Sequence, residues 1–247
     1  MSIMLANQEG IIVRSVNYKE SDKMLTIISP QNGKISAIAR GARRVKSALG
    51  VPTSLFCYSS FVFTQKADRL SVKEAVPIEM FFHLRDDIKK LSLAQYIADI
   101  TAYLTPEGQE CADILRLMLN TLHILSKDAK PYQLIKSAYE LKLMELCGFM
   151  PVLDNCQKCG GGENLYLCLV GGNIYCENCA SKYGQKNIAM PGSVKKAMEY
   201  ILDLKTVNIF SFSLSDGSLK KLGEITEKYL INQTEHNFKT LDFYKSL

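Results

Sequence analysis

The stretch DKMLTIISPQNGKISAIAR, residues 22–40, contains two short runs rich in β-branched residues, separated by turn residues. Such runs are typical of strands. The dipeptide Asn32-Gly33 indicates a type I′ turn, because both central positions of that turn require positive φ and this dipeptide tolerates it. The stretch therefore predicts two adjacent antiparallel strands, at 22–29 and 33–40.

Similar runs lie on either side of this hairpin, and turn residues separate them. They occupy residues 8–18, 55–65 and 69–76. Five strands within about 80 residues cannot bury both faces of an open sheet, so closure into a small barrel is the economical arrangement. The sequence predicts a five-stranded barrel of the OB-fold type, in which the first three strands form a meander.

After Pro77 the apolar spacing changes to that of helices. One face carries Cys111, Ile114, Leu115, Met118, Leu119, Leu122 and Leu125. The preceding helix presents Leu93, Ile97, Ile100 and Leu104, and the following one, which begins at Pro131 and ends at Gly148, presents Leu134, Ala138, Leu141 and Met144. The same pattern returns at 193–204 and 218–231. We interpret these faces as the core of a helical bundle.

Four cysteines form two pairs with the spacing of a zinc ribbon: Cys156-x2-Cys159, sixteen residues, then Cys176-x2-Cys179. Three glycines follow the first pair, where backbone must bend around the sulfur atoms, and LYLCLVGGNIY at 165–175 reads as a hairpin. Four thiolates suit one tetrahedral Zn²⁺ and leave no open coordination position. The sequence thus predicts a structural zinc.

The other reading of a Cys-x2-Cys pair is a thioredoxin-like redox motif, which needs a single pair beside a βαβ pattern. This chain has two pairs and no such pattern. The remaining cysteines lie in apolar runs and are interpreted as small buried hydrophobic residues: Cys57, Cys111, Cys147 and Cys168. Among them, Cys168 is the one alternative metal ligand.

The sequence as a whole predicts an α+β protein. Its domains are an OB-fold nucleic-acid-binding barrel at 1–80, a helical domain at 81–150 and 187–247, and a zinc-ribbon insert at 151–186. No apolar stretch approaches the roughly 18 residues of a membrane span, and the first residues lack the features of a signal peptide. We therefore expect a cytoplasmic protein with no membrane partner.

All of the excess positive charge lies in the barrel. Residues 1–80 hold 11 Lys/Arg and 6 Asp/Glu, a balance of +5, whereas the rest of the chain holds 19 of each. The segment ARGARRVKS at 39–47 is the densest cluster. The candidate phosphate-binding residues are Arg14, Lys23, Lys34, Arg40, Arg43, Arg44 and Lys46, with Lys19 beside them. A solvated charged loop is the alternative interpretation.

Aromatic residues of the barrel are candidates for stacking on unpaired bases. They are Tyr18, Phe56, Tyr58, Phe61 and Phe63. Phe61 and Phe63 alternate along one predicted strand and are expected in the barrel core. Tyr18 and Tyr58 are open to either role.

The order of these motifs resembles the bacterial RecO family of recombination mediators. The resemblance runs through GIIVRSVNYKESDKMLTIISPQNGKISAIARGARRVKS, then YELKLMELCGFMP, DNCQKCG and CENC, and covers nearly the whole chain. The family's characteristic positions stand here as Gly10, Asp22, Gly33, Ala39, Gly41, Arg43, Glu140, Leu141, Leu146, Gly148 and Pro151.

The resemblance implies a non-catalytic DNA repair protein that binds single- and double-stranded DNA and anneals complementary strands. It implies RecR, SSB and in some cases RecF as partners, in helping to load RecA onto SSB-coated DNA, and a place at the nucleoid. It implies no small-molecule substrate. No motif fixes the helical residues that would take the acidic, apolar tail of SSB, for which Lys136 and Lys142 are the guesses.

Two other classes of function are open. A zinc-ribbon adaptor would act through protein contacts, with its basic barrel merely solvated. A zinc enzyme would need an open metal position, whereas the ligands are saturated and His83, His123 and His236 are far apart in sequence. The chain lacks GxxxxGK[ST], G-x-S-x-G and H-E-x-x-H motifs, so the common signatures of ATP, acyl-transfer and metalloprotease chemistry are absent.

Overall fold

The structure, a computed structural model, describes residues 3–66, 69–205 and 208–247, with side chains from residue 8 onward. The chain forms two compact units. The first comprises Met1–Lys127 together with Thr240–Leu247, and the second comprises Asp128–Lys239.

The first unit contains a closed barrel with the strand order β1-β2-β3-β5-β4. The strands are β1 Ile3–Tyr18, β2 Asp22–Ser29, β3 Gly33–Ala39, β4 Tyr58–Lys66 and β5 Arg69–Glu79. Neighbouring strands are antiparallel except β3 and β5, which pair in parallel at Ala37–Leu70 and Ile38–Ser71. The five-stranded OB-type barrel is therefore confirmed, with the first strand beginning upstream of its predicted start.

Apolar side chains fill the barrel. The rings of Phe61 and Phe63 stack with their centroids 5.4 Å apart, and both are buried, which confirms their predicted place in the core. Phe56 is also fully buried, although its φ of 64° is unusual for a bulky residue. The cluster consists of Ile12, Leu25, Ile27, Ile35, Ala37, Ala39, Ala42, Phe61, Phe63 and Val72.

The turn between β2 and β3 differs from the predicted type I′ turn. Ser29 pairs with Gly33, so the connection has three residues, and only Gly33 has positive φ (61°), not Asn32. Pro30 opens the turn and holds its own φ negative. A Cβ on Gly33 would lie 2.2 Å from the carbonyl oxygen of Pro106, so the glycine is required by its surroundings as well as by its φ.

Two long helices of the first unit follow the barrel in the chain. A 3₁₀ turn, Phe82–Arg85, precedes α1 (Ile88–Leu104), and α2 (Ala112–Ser126) follows. The side chain of Asp87 caps α1 by accepting from the N–H of Lys90. The two helices pack on each other, and α1 also contacts β1. The predicted apolar faces are buried, apart from the half-buried Leu104 and Leu119.

The second unit contains three packed helices and a small metal-ligand module. Helices α3 (Tyr132–Leu146), α5 (Gly192–Asp203) and α6 (Asp216–Thr234) contact one another in pairs. The part of the chain between α3 and α5 forms an antiparallel sheet with the strand order β7-β6-β8. The module's elements are β6 Leu165–Cys168, β7 Ile174–Cys176, α4 Glu177–Tyr183 and β8 Asn187–Ala189. The predicted hairpin at 165–175 is thus confirmed.

The last helix in chain order is α7 (Lys239–Lys245). Within the first unit, the hydroxyl of Thr240 in this helix donates a hydrogen bond to the carboxylate of Asp99 at 2.8 Å. The two compact units divide after Lys127, which groups α1 and α2 with the barrel. The domain boundaries predicted at residues 80, 150 and 186 stay predictions. None of the described helices is long and apolar enough to cross a membrane.

Candidate nucleic-acid interface and metal site

An open groove of about 810 Å³ lies at the end of the barrel where β1 turns into β2. Four of the eight residues that line it are basic and one is acidic. Because DNA carries one negative charge per nucleotide, a groove of this charge attracts a phosphate backbone. The lining residues are Tyr18, Lys19, Asp22, Ile38, Arg40, Lys66, Arg69 and Ser71.

Arg40 and Lys19 were predicted from the sequence as phosphate-binding candidates, whereas Lys66 and Arg69 were not. These two residues lie on either side of the β4–β5 turn, whose residues 67 and 68 are outside the described part of the chain. In OB-folds the β1–β2 and β4–β5 loops bind oligonucleotides. The signal was therefore available: basic residues flank the turn between the fourth and fifth predicted strands.

Tyr18 and Tyr58, which the sequence left open, differ in the structure. Tyr18 lines the groove, is 37% exposed, and has the Nζ of Lys19 5.5 Å from its ring centroid. The hydroxyl of Tyr58 instead donates to Glu9, and burial together with this carboxylate raises the pKa of Tyr58 above its usual value. Of these two tyrosines, Tyr18 is the one whose ring lines the basic groove.

A basic loop, residues 40–46, follows β3. Gly41 has φ of 65° and its N–H donates to Asp22 Oδ1 at 2.8 Å. The N–H of Arg43 donates to the carbonyl of Ser21 at 2.9 Å, and its guanidinium donates to the carbonyl of Glu20 at 3.0 Å. The loop is thus fastened to the β1–β2 turn that borders the groove. Arg40, Arg44 and Lys46 are exposed.

The other three predicted basic residues lie elsewhere on the first unit. Lys23 is half-buried, and its Nζ donates to the carbonyl of Gly50 and to Thr53; burial, with Arg43 nearby, lowers its pKa. Lys34 is half-buried and donates to the carbonyl of Ala102 at 3.1 Å. Arg14 is exposed and lines a separate groove beside α1. Lys23 and Lys34 therefore support neighbouring backbone.

The four predicted metal ligands come together in the second unit. Their sulfur atoms, those of Cys156, Cys159, Cys176 and Cys179, all lie within 4.8 Å of one another. The first pair sits on a tight turn in which the N–H of Gly160, at φ 73°, donates to the carbonyl of Cys156. Cys176 precedes α4 and Cys179 lies in its first turn. Four thiolates this close match the donor set of a tetrahedral metal ion.

Electrostatics within the cluster also fit a cation. Desolvation raises the pKa of the Cys156 thiol, but backbone N–H groups of Cys176, Cys159 and Lys158 lower it to about 6. Desolvation and the neighbouring sulfur atoms raise the pKa of Cys179 to about 12. Deprotonation is therefore favoured at Cys156 and opposed at Cys179. A bound divalent cation would compensate the charge of all four.

The remaining cysteines lie outside this cluster. Cys57, Cys111 and Cys168 are buried as predicted, whereas Cys147 is half-buried. Burial raises the pKa of Cys111 to about 11. The sulfur of Cys168 contacts the carbonyl and the N–H of Gln185 at 3.2 and 3.4 Å. Within the described residues, the metal-ligand group contains Cys156, Cys159, Cys176 and Cys179 and not the alternative ligand Cys168.

The metal-ligand module is fastened to α6 through the β6–β7 turn. The side-chain amides of Asn232 and Gln233 donate to the carbonyl of Leu169 at 2.8 and 2.6 Å. The hydroxyl of Tyr229 donates to the carbonyl of Phe149 at 3.0 Å. The module and the helices of the second unit are therefore joined by hydrogen bonds between side chains and backbone.

Lys136 and Lys142 are not available to an acidic peptide, which contradicts the guess that they bind one. Lys136 is 2% exposed and bridges Glu140 and Glu227 at 2.8 and 2.9 Å. Burial alone would lower its pKa, but the two carboxylates raise the pKa above its ordinary value. Lys142 is likewise buried and pairs with Glu145. Both lysines have internal partners.

The fold and the two sites define a class: an OB-barrel protein with a basic groove and a helical unit that carries a four-cysteine cluster able to hold a metal ion. Two family models match the chain, described as "Recombination protein O N terminal" over residues 1–81 and "Recombination protein O C terminal" over residues 85–242. The chain belongs to the RecO family of DNA repair proteins.

Relatives cover almost the whole chain. The DNA repair protein RecO of Acetivibrio thermocellus is 35% identical over 241 residues, which are 96% of this chain and 95% of the relative. The DNA repair protein RecO of Alkaliphilus metalliredigens is 32% identical over 249 residues, or 99% of this chain and all of the relative. That of Caldicellulosiruptor saccharolyticus is 29% identical over 239 residues. The resemblance found in the sequence is thus confirmed.

Proposed function

We propose that this protein is a non-catalytic recombination mediator that binds single- and double-stranded DNA and anneals complementary strands. The observation that carries this proposal is the basic groove at the end of the barrel, in a chain of the RecO family. Annealing needs no chemistry from the protein. It needs two phosphate backbones brought together against their mutual repulsion, which fixed cations reduce.

The groove offers both contacts that single strands require. Lys19, Arg40, Lys66 and Arg69 supply charge for the phosphates, and the exposed ring of Tyr18 supplies a face for a base. Stacking on an aromatic ring tolerates every base, because every base has a π-face. We therefore expect binding with little sequence preference and a strong dependence on salt.

The metal in this proposal is one structural Zn²⁺. Four thiolates in tetrahedral arrangement are the donor set of structural zinc sites, and they leave no position for water or substrate. Cys156, Cys159, Cys176 and Cys179 would hold the ion. Its role would be to hold the module together, and no step on DNA is assigned to it.

The proposed partners rest on family membership rather than on a surface of this structure. With RecR, and in some organisms RecF, the protein would help to load RecA onto DNA coated with SSB. Such work takes place on chromosomal DNA, so we place the protein in the cytoplasm, at the nucleoid. Residues that contact these partners are not assigned.

A triple replacement in the groove tests the DNA-binding part of the proposal. The variant Arg40→Ala/Lys66→Ala/Arg69→Ala removes three exposed cations of the groove. Since each phosphate contact on a single strand contributes about 0.7 to the salt slope, the slope should become about 2 less steep. Affinity for a labelled single-stranded oligonucleotide, measured by fluorescence anisotropy at several salt concentrations, should fall about 10- to 100-fold at low salt.

A matched control variant removes the same number of positive charges from a different part of the chain. Lys196, Lys205 and Lys220 are exposed in the second unit, and their triple alanine variant should bind the oligonucleotide with nearly the wild-type slope. Equal losses in the two variants would mean that net charge, and not the groove, determines binding. An unchanged slope in the groove variant would reject the groove as the interface.

A further inference from the structure

One apolar side chain of the basic loop, that of Val45, is fully exposed to solvent. Val45 has a relative accessibility of 103%, the highest among the large apolar residues that the structure describes. Arg43 and Arg44 precede it and Lys46 follows, and all three are exposed. A fully exposed isopropyl group among cations makes no packing contribution to the folded chain, so its whole apolar surface is accessible to a ligand.

The segment that carries Val45 is held in place by short-range hydrogen bonds. The N–H of Arg44 donates to the carbonyl of Gly41 at 3.1 Å, and the N–H of Ser47 donates to the carbonyl of Arg44 at 3.0 Å. On the inner side, Ala42 is buried in the barrel core. Val45 is therefore presented by consecutive turns that are anchored on both sides. A side chain presented in this way loses little entropy when it binds.

We propose that Val45 is an apolar wedge that inserts between neighbouring bases of a strand whose phosphates are held by Arg43, Arg44 and Lys46. The inference rests on the proposed function and adds a contact to bases outside the groove. Apolar side chains beside phosphate-binding cations are a known device for opening a base step. Here both parts lie within four consecutive residues.

Insertion of Val45 should make the protein bind some forms of DNA more tightly than others. Insertion separates two stacked bases, and this costs least where the bases are already unpaired. The contact should therefore favour single strands and the unpaired arm of a fork over continuous duplex. In an annealing reaction, the bases around Val45 would be kept apart from their neighbours until the complementary strand displaces the loop.

The variant Val45→Ser tests this inference, with Val51→Ser as its control. Val51 lies in the same connection between β3 and β4 and is 55% exposed, but it comes five residues after Lys46 and lies outside the basic loop at 40–46. Single-stranded oligonucleotides, each with 2-aminopurine at a different position, report unstacking as an increase in fluorescence. Wild type and Val51→Ser should give this increase, and Val45→Ser should lose it.

Affinity supplies the second readout. Val45→Ser should bind the single strand about fivefold more weakly, as expected for losing part of the burial of one valine, while its salt slope stays that of wild type because no phosphate contact is removed. Circular dichroism verifies that each variant is folded. If Val45→Ser binds like wild type with the same fluorescence increase, the wedge is rejected and the proposed function stands. If wild type itself does not bind the oligonucleotides, the proposed function is rejected and the wedge with it.

Discussion

Replacing Cys159 with serine is expected to abolish metal binding and to unfold the metal-ligand module. The module's own core is small, consisting of Cys156, Cys168, Tyr175 and Ala180. Segments below about 40 residues seldom fold without a metal or disulfides, and no disulfide joins the cysteines of this module. Structural zinc contributes about 10–16 kcal/mol of apparent binding energy in small zinc-finger peptides, so loss of one ligand should outweigh the module's packing.

The measurement is metal content by plasma mass spectrometry, together with thermal unfolding of protein purified under reducing conditions. Cys168→Ser is the matched control, because Cys168 lies in the same module outside the ligand set and serine can keep both contacts with Gln185. We expect one zinc per chain in wild type and control, and none in Cys159→Ser. A full zinc content in Cys159→Ser would show that the four sulfurs do not form the site.

Unfolding of the module should also weaken the second unit as a whole. The amides of Asn232 and Gln233 and the hydroxyl of Tyr229 donate to backbone carbonyls of the module and of the segment before it. Each such bond contributes about 1 kcal/mol when made, and a donor left without its partner costs more. The unfolding temperature of Cys159→Ser should therefore fall for the helices as well as for the module.

Replacing Lys136 with methionine is expected to destabilise the second unit by about 3–5 kcal/mol, because it leaves Glu140 charged, buried and without its ion-pair partner. Glu140 is fully buried and lies 2.8 Å from Lys136, while Thr226 donates to its other oxygen at 2.7 Å. Glu227, the third member, is partly exposed and can turn to solvent. Urea unfolding followed by circular dichroism gives the change in free energy.

Two further variants test whether the loss of stability comes from the burial of the Lys136–Glu140 ion pair. Lys195 and Glu199 have the same i,i+4 spacing on α5 but are partly exposed, so Lys195→Met should cost less than about 1 kcal/mol. The double variant Lys136→Met/Glu140→Gln removes the unpaired charge and keeps an acceptor for Thr226, so most of the lost stability should return. A cost below about 1 kcal/mol for Lys136→Met alone would show that this network is not a significant part of the unit's stability.

The barrel was predictable because strand signals are local. Turn residues separate the five runs, and Phe61 and Phe63, which were expected in the barrel core, lie in it. The details that failed depend on distant residues. The turn at Gly33 is shaped by Pro106, more than 70 positions away, and no pattern within residues 22–40 contains that information.

The positions of the basic side chains also depend on residues that are distant in the sequence. Composition identified the excess charge, but Lys23 turns toward Gly50 and Thr53, and Lys34 toward Ala102, contacts that only the closed barrel and its helix create. Lys66 and Arg69 line the groove because barrel closure brings the end of β4 and the start of β5 beside the β1–β2 turn. Lys136, a candidate for binding the SSB tail, is instead paired with Glu227, which lies on another helix. The cysteine cluster was predictable because its spacing is itself the signal.

The proposed function requires the protein to bring complementary strands together on a basic surface without catalysis. The most direct test is annealing of complementary oligonucleotides by zinc-loaded protein without ATP, titrated with salt and followed by energy transfer between labels on the two strands. We expect faster annealing that declines as salt increases and that is largely lost in the Arg40→Ala/Lys66→Ala/Arg69→Ala variant. No acceleration, with no shift of single-stranded DNA by folded protein, would contradict it and would favour an adaptor that acts through protein contacts.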